Sequence, residues 1–133
     1  ALANPDFAHC RWVEWLEPDE IPGFWAATAV HFWALHENPV DKLRFQAKLY
    51  EALATGTPVV IALEGFMSEL LTREQIGVTV SFADSTALAQ AIQHLLNNTA
   101  YHTTISHSAR AYAETNFQPQ HVTQAYEGLL DQL

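Results

Sequence analysis

Lys48-Leu49-Tyr50-Glu51-Ala52-Leu53-Ala54-Thr55-Gly56-Thr57-Pro58-Val59-Val60-Ile61 changes its hydrophobic period once, at Gly56, and that change decides the fold. Before it, Leu43, Ala47, Tyr50 and Ala54 recur at the spacing of one helical face, widened by Leu49 and Leu53. Gly56 stands just past the end of that helix, where a left-handed backbone is cheapest. Val59-Val60-Ile61 is then apolar on both parities, as a strand covered on both faces must be. A helix running into such a strand is one crossover of a parallel sheet.

Downstream, Glu64-Gly65 turns into a helix ending near Glu74, and Val78-Thr79-Val80-Ser81-Phe82 alternates as a strand. Leu88, Ala91, Ile92, Leu95 and Leu96 make a helical stripe capped by Asp84 or Ser85 and ended by Asn97-Asn98. Tyr101 to Asn116 reads as another helix. After Gln118-Pro119, a last helix is expected to bury Val122, Ala125, Tyr126, Leu129, Leu130 and Leu133. Upstream, Ala29 to Leu35 is an apolar run of strand length, and His36 to Val40 reads as a loop because Asn38 precedes Pro39. Pro18 to Pro22 opens a short helix over Gly23 to Thr28, and Arg11 to Leu16 is read as the first strand. The expected class is α/β: a Rossmann-like parallel sheet of about four strands with flanking helices and a helical carboxyl-terminal region. Residues 1–133 form one domain on this reading, the distal part of a doubly wound fold whose first strands are missing.

Hydrophobic residues make up 49% of the 133, which excludes a disordered acidic tail. A net charge of -9 repels a phosphate backbone, so no nucleic-acid partner is expected. Cys10 alone cannot build a disulfide framework, and a reducing cytoplasm is compatible with it. Pro58 to Leu63, among the longest apolar runs, falls far short of the ~20 residues of a membrane span. No signal peptide is read at the start, so a soluble cytoplasmic domain with no membrane span is expected.

Seven histidines include no pair at i, i+4, and no Gly-rich phosphate loop, nucleophile elbow or Cys–His signature occurs. No catalytic residue, metal ligand or cofactor is therefore assigned. What stands out is basic: Lys42, Arg44 and Lys48 are three of six bases, within seven positions, in the first half of one helix. Cations there oppose the helix dipole. Arg44, Lys48, Glu51 and Thr55 form one polar stripe, either an anion site or a solvated face on which Lys48 pairs with Glu51 or Glu37. Open parallel sheets bind ligands beyond the carboxyl ends of their strands, where the loops 36–40, 64–68 and 83–85 emerge. Gly65 there lets backbone N–H groups approach an anion.

Lys48 to Val60 resembles the helix-turn-strand signature of the retaining, group-1 type glycosyltransferases with the GT-B fold. Gly65 and Glu69, Gly77 to Val80, Leu88 to Leu96, Ala109-Arg110, Asn116-Phe117 and the closing tyrosine helix are similar to that family in the same order, from about Phe32 onward. The resemblance implies the carboxyl-terminal, nucleotide-sugar-binding domain of a transferase, inactive without a separate amino-terminal acceptor domain. It implies that Glu51 takes the ribose hydroxyls of a UDP-, GDP- or ADP-linked donor, since a carboxylate accepts from two vicinal hydroxyls at once. Lys48 and Arg44 would then face the diphosphate, with Gly65 and Phe66 bordering the base or ribose. The family's second glutamate, eight positions before the ribose one, is Leu43 here, read as buried, and Glu37 is the candidate to replace it. Such enzymes often work at the inner membrane face. The alternatives are a nucleotide-sugar epimerase of the same fold and a non-catalytic module that keeps the fold for structural or interaction reasons.

Overall fold

The computed structural model describes residues 8–34 and 38–132. Strand β2 (Val59–Ala62) is the middle of a three-stranded parallel sheet, between β1 (His31–Ala34) and β3 (Val78–Val80). Helices α2 (Pro39–Leu43) and α3 (Ala47–Thr55) cross from β1 to β2, and α4 (Phe66–Glu74) crosses from β2 to β3. Helix α1 (Ile21–Ala26) precedes the sheet, and α5 (Ser85–Asn97), α6 (Thr99–Asn116) and α7 (Pro119–Leu130) follow it.

The two parities of β2 face two different clusters. Val59 and Ile61 join Leu49, Leu53, Met67 and Leu71 from α3 and α4, whereas Val60 packs with Leu95 and Ile105 from α5 and α6. All four β2 residues are buried, and each large one contributes about 1.5–3 kcal/mol through the apolar surface it removes from water. Gly56 ends α3 at φ +73°, with Thr57 N–H donating to Ala52 O at 2.8 Å and Gly56 N–H to Leu53 O at 3.0 Å. These bonds satisfy the last carbonyls of α3 and reverse the chain into β2.

Five expectations are corrected. Arg11 to Leu16 is not a strand, so the described sheet has three strands rather than about four. Its apolar residues come as two pairs, Trp12-Val13 and Trp15-Leu16, a repeat of three that gives neither face of a pleat a consistent character. Trp12 and Trp15 are accordingly 75% and 74% exposed.

The helix expected from Asp41 is two helices. Asn38 is extended, as a residue before proline must be, but Pro39 then occupies the first helical position, and the Asn38 side chain accepts from Asp41 N–H at 2.9 Å. Residues 39 and 40 are thus helical rather than loop. Arg44 and Gln46 return to extended backbone between α2 and α3, and Phe45 between them meets Tyr50 at a 4.3 Å ring separation. The break takes Leu43 out of register with Ala47 and Tyr50, so it is 82% exposed instead of buried.

Helix α7 buries none of its residues, and Val122, Tyr126, Leu129 and Leu130 are exposed. An amphipathic pattern states which face is apolar but does not supply the surface that covers it. Leu133 lies outside the described residues.

Candidate functional site

In a parallel sheet every crossover leaves the carboxyl end of one strand and re-enters at the amino end of the next. The amino ends of α3, α4 and α5 therefore gather at one edge of the sheet, beyond the carboxyl ends of the strands. Lys48 lies in the first turn of α3 and Glu51 at its midpoint, and Gly65 and Phe66 stand at the start of α4.

Glu51 is held from two sides. The Trp25 indole N–H donates to its Oε2 at 2.9 Å, and the Lys48 ammonium stands 3.4 Å from both carboxylate oxygens. Trp25 is buried, whereas the Glu51 side chain is 37% exposed. Trp25, His31, Lys48 and Glu51 line a cleft of about 680 Å³ together with the segment carrying Trp12 and Trp15. His31 lies edge-on to Trp25 and Trp33, with ring centroids 5.2 and 4.5 Å away. Burial, and then the Lys48 charge, push its pKa below the ordinary 6.5, and its Nε2 is buried without a partner. Both effects disfavour the charged imidazolium.

Gly65 adopts φ +124° and ψ -162°, and a Cβ at this position would lie 2.7 Å from Lys42 Cα. Only glycine fits both the dihedrals and the space. Phe66 is 48% exposed and meets Phe45 at 6.3 Å between rings. Beside this turn, Glu64, Gly65, Ser68, Glu69, Arg73 and Ser81 line a second, more polar cleft of about 700 Å³.

Each of the three clustered cations has a carboxylate neighbour. Arg44 Nη2 reaches the buried Asp41 at 2.7 Å, Lys42 reaches Glu64 at 3.7 Å, and Lys48 reaches Glu51. Because the helix is broken, only Lys48 opposes a helix dipole. Lys42 lies in the last turn of α2, where a cation is favourable, and Arg44 is the residue that caps it. The structure thus brings Lys48 and Glu51 together, places Arg44 in the connection between α2 and α3, and puts Gly65 and Phe66 at the next turn. Glu37 lies outside the described residues.

Trp25 and His31 escaped the sequence reading. Trp25 reaches Glu51 across 26 residues, so no local spacing announces it. A tryptophan N–H that is buried must nevertheless find an acceptor, and Glu51 is the one carboxylate of α3, at the helix's midpoint. Among the described residues no three His, Cys, Asp or Glu side chains converge to hold a metal ion, and no helix is long and apolar enough to cross a membrane.

A family model described as Glycosyl transferases group 1 matches residues 2–98. The matched stretch contains every candidate residue above. No curated protein and no solved structure matches the chain.

Proposed function

The chain belongs to the group 1 glycosyl transferases, and on that premise we propose that it is the distal part of the nucleotide-sugar-binding domain of a retaining, GT-B-fold enzyme. The acceptor is held mainly by a separate amino-terminal domain, and residues 1–133 alone do not turn over. Glu51 carries this reading. It is a half-exposed carboxylate in a cleft, held by one indole N–H and one ammonium, and both its oxygens have lone pairs to spare for two vicinal hydroxyls. Lys48 and the amino ends of α3 and α4 supply positive potential for the leaving nucleoside diphosphate. Arg44 contributes by sharing its guanidinium between Asp41 and the diphosphate. Gly65 and Phe66 border the base or ribose. Leu43 cannot accept a hydrogen bond from the donor sugar, and Glu37, outside the described residues, is the candidate for that contact.

The test is an amide-shift titration of the chain with UDP, GDP and ADP and their sugars. Localised shifts at Lys48, Glu51 and Gly65 with one nucleotide are expected. Glu51→Ala should weaken that binding about tenfold or more, the worth of hydrogen bonds to a charged acceptor. Nucleotide binding unchanged in Glu51→Ala would remove Glu51 as the ribose ligand.

A further inference from the structure

Beside the ribose carboxylate stands a donor that no sequence spacing pointed to, and we infer that Trp25 is a positioning residue that sets the orientation of Glu51 for the nucleotide ribose; this rests on the assignment of Glu51 made above.

The argument is one of lone pairs. An ionised carboxylate offers about four acceptor sites on its two oxygens. Trp25 takes one on Oε2 at 2.9 Å. Lys48 stands 3.4 Å from both oxygens, beyond the ~2.7–2.9 Å of a tight charge-assisted bond, so it does not choose an orientation. Its ammonium sits on a flexible stem that is 57% exposed, whereas the indole is only 4% exposed. The rings of Phe24 and His31 stand edge-on to Trp25 with centroids 5.7 and 5.2 Å away, which fixes the direction of its N–H. A rigid donor at one oxygen holds the carboxylate plane and leaves the other lone pairs to the cleft. Without it, Glu51 is free to turn toward Lys48, and hydroxyls that must be met in one geometry are met in several.

Trp25 also closes the apolar floor between α1 and α3, so its removal could act on packing alone. The experiment therefore uses Trp25→Phe, which keeps a buried ring and deletes only the donor, and reads three things on the full 133-residue chain. The first is the indole N–H resonance of Trp25, assigned by its loss in Trp25→Phe. It should move in Glu51→Gln, and move again on saturation with the nucleoside diphosphate that the chain binds. The second is the affinity ratio between that nucleotide and its 2′-deoxy counterpart, which should fall about three- to tenfold in Trp25→Phe, consistent with losing one oriented bond to a charged group. The third is the same ratio in Glu51→Gln, which tests the ribose assignment itself.

A ratio that falls in both variants supports the inference. If it falls in Glu51→Gln but Trp25→Phe weakens both nucleotides equally, Trp25 only packs and the positioning role is overturned while the ribose assignment stands. If Glu51→Gln leaves the ratio unchanged, or the parent chain binds no nucleotide, the ribose assignment falls and the positioning role with it. An indole signal that ignores Glu51→Gln overturns the inference by itself.

Discussion

Replacing Gly65 with alanine should be among the most damaging single-methyl additions in the molecule. Two costs combine. At φ +124° and ψ -162° an L-residue other than glycine is strained, which costs about 1–3 kcal/mol. The new Cβ would also lie 2.7 Å from Lys42 Cα and 2.9 Å from Lys42 C, and overpacking of this kind costs about 1–3 kcal/mol. The atoms in the way are backbone atoms of α2, which Asn38 caps and the Asp41–Arg44 pair braces, so the neighbour cannot simply rotate away. We expect a loss of about 3–5 kcal/mol, a large share of the ~5–15 kcal/mol that holds a domain together. At a urea m-value of about 1.5 kcal/mol/M the midpoint should fall by about 2–3 M. Urea unfolding followed by far-ultraviolet circular dichroism reads it. Trimming the Lys42 side chain should bring no relief, because the clash is with its backbone. Gly23→Ala is the control, since nothing lies within 4 Å of a Cβ there and it is inside α1, where alanine should gain about 0.5–1 kcal/mol. A Gly65→Ala protein within about 0.5 kcal/mol of the parent would refute the account of this turn.

Leu53→Ala removes a fully buried side chain facing β2 and should cost about 2–5 kcal/mol, whereas Leu129→Ala on the exposed face of α7 should change urea stability by less than about 0.5 kcal/mol. Equal losses would mean that α7 is packed. His31 gives the pH dependence. Its folded pKa lies below the ordinary 6.5, so between the two values the unfolded chain binds more protons than the folded one. Stability is then complete above 6.5 and falls as the pH drops through that window. His31→Phe, which also removes the orphaned Nε2, should reduce the fall between about pH 7.5 and about pH 5, measured as urea midpoints. An unaltered fall would show that other groups carry it.

The candidate site is held together unevenly, and that bears on how it could work. Glu51 is anchored from below by a buried ring, yet its other neighbour is an exposed ion pair of the kind worth roughly 0–1 kcal/mol. Lys48 can therefore exchange one anion for another at small cost, as the diphosphate contact proposed for it requires. Arg44 is different. Asp41 is 8% exposed, and taking Arg44 away from it would leave a carboxylate in an unfavourable place. The three clustered bases are thus unequal: Lys48 holds an exposed partner, Lys42 stands 3.7 Å from the exposed Glu64, and Arg44 is paired with the buried Asp41.

Wherever a periodicity or a backbone requirement was local, the amino-acid sequence determined the outcome by itself. Val59 to Ile61 reads as a doubly covered strand because both parities are apolar, and both faces are covered. Gly56 reads as a left-handed cap because an apolar helix period stops there, and its φ is +73°. The group 1 signature likewise lies in contiguous residues, and the family match spans them. Tertiary structure decided whatever depended on a partner distant in the chain. Trp12 and Trp15 have strand-like chemistry, but a strand exists only where another strand offers hydrogen bonds in register. Leu43 stands one helical repeat from Ala47 in the sequence, but Arg44 and Gln46 leave the helix between them and Phe45 packs against Tyr50 there. The apolar stripe of α7 was legible, but the absence of any described surface over it was not. Trp25 meets Glu51 only because α1 folds back over α3, a contact between residues that neither composition nor spacing connects.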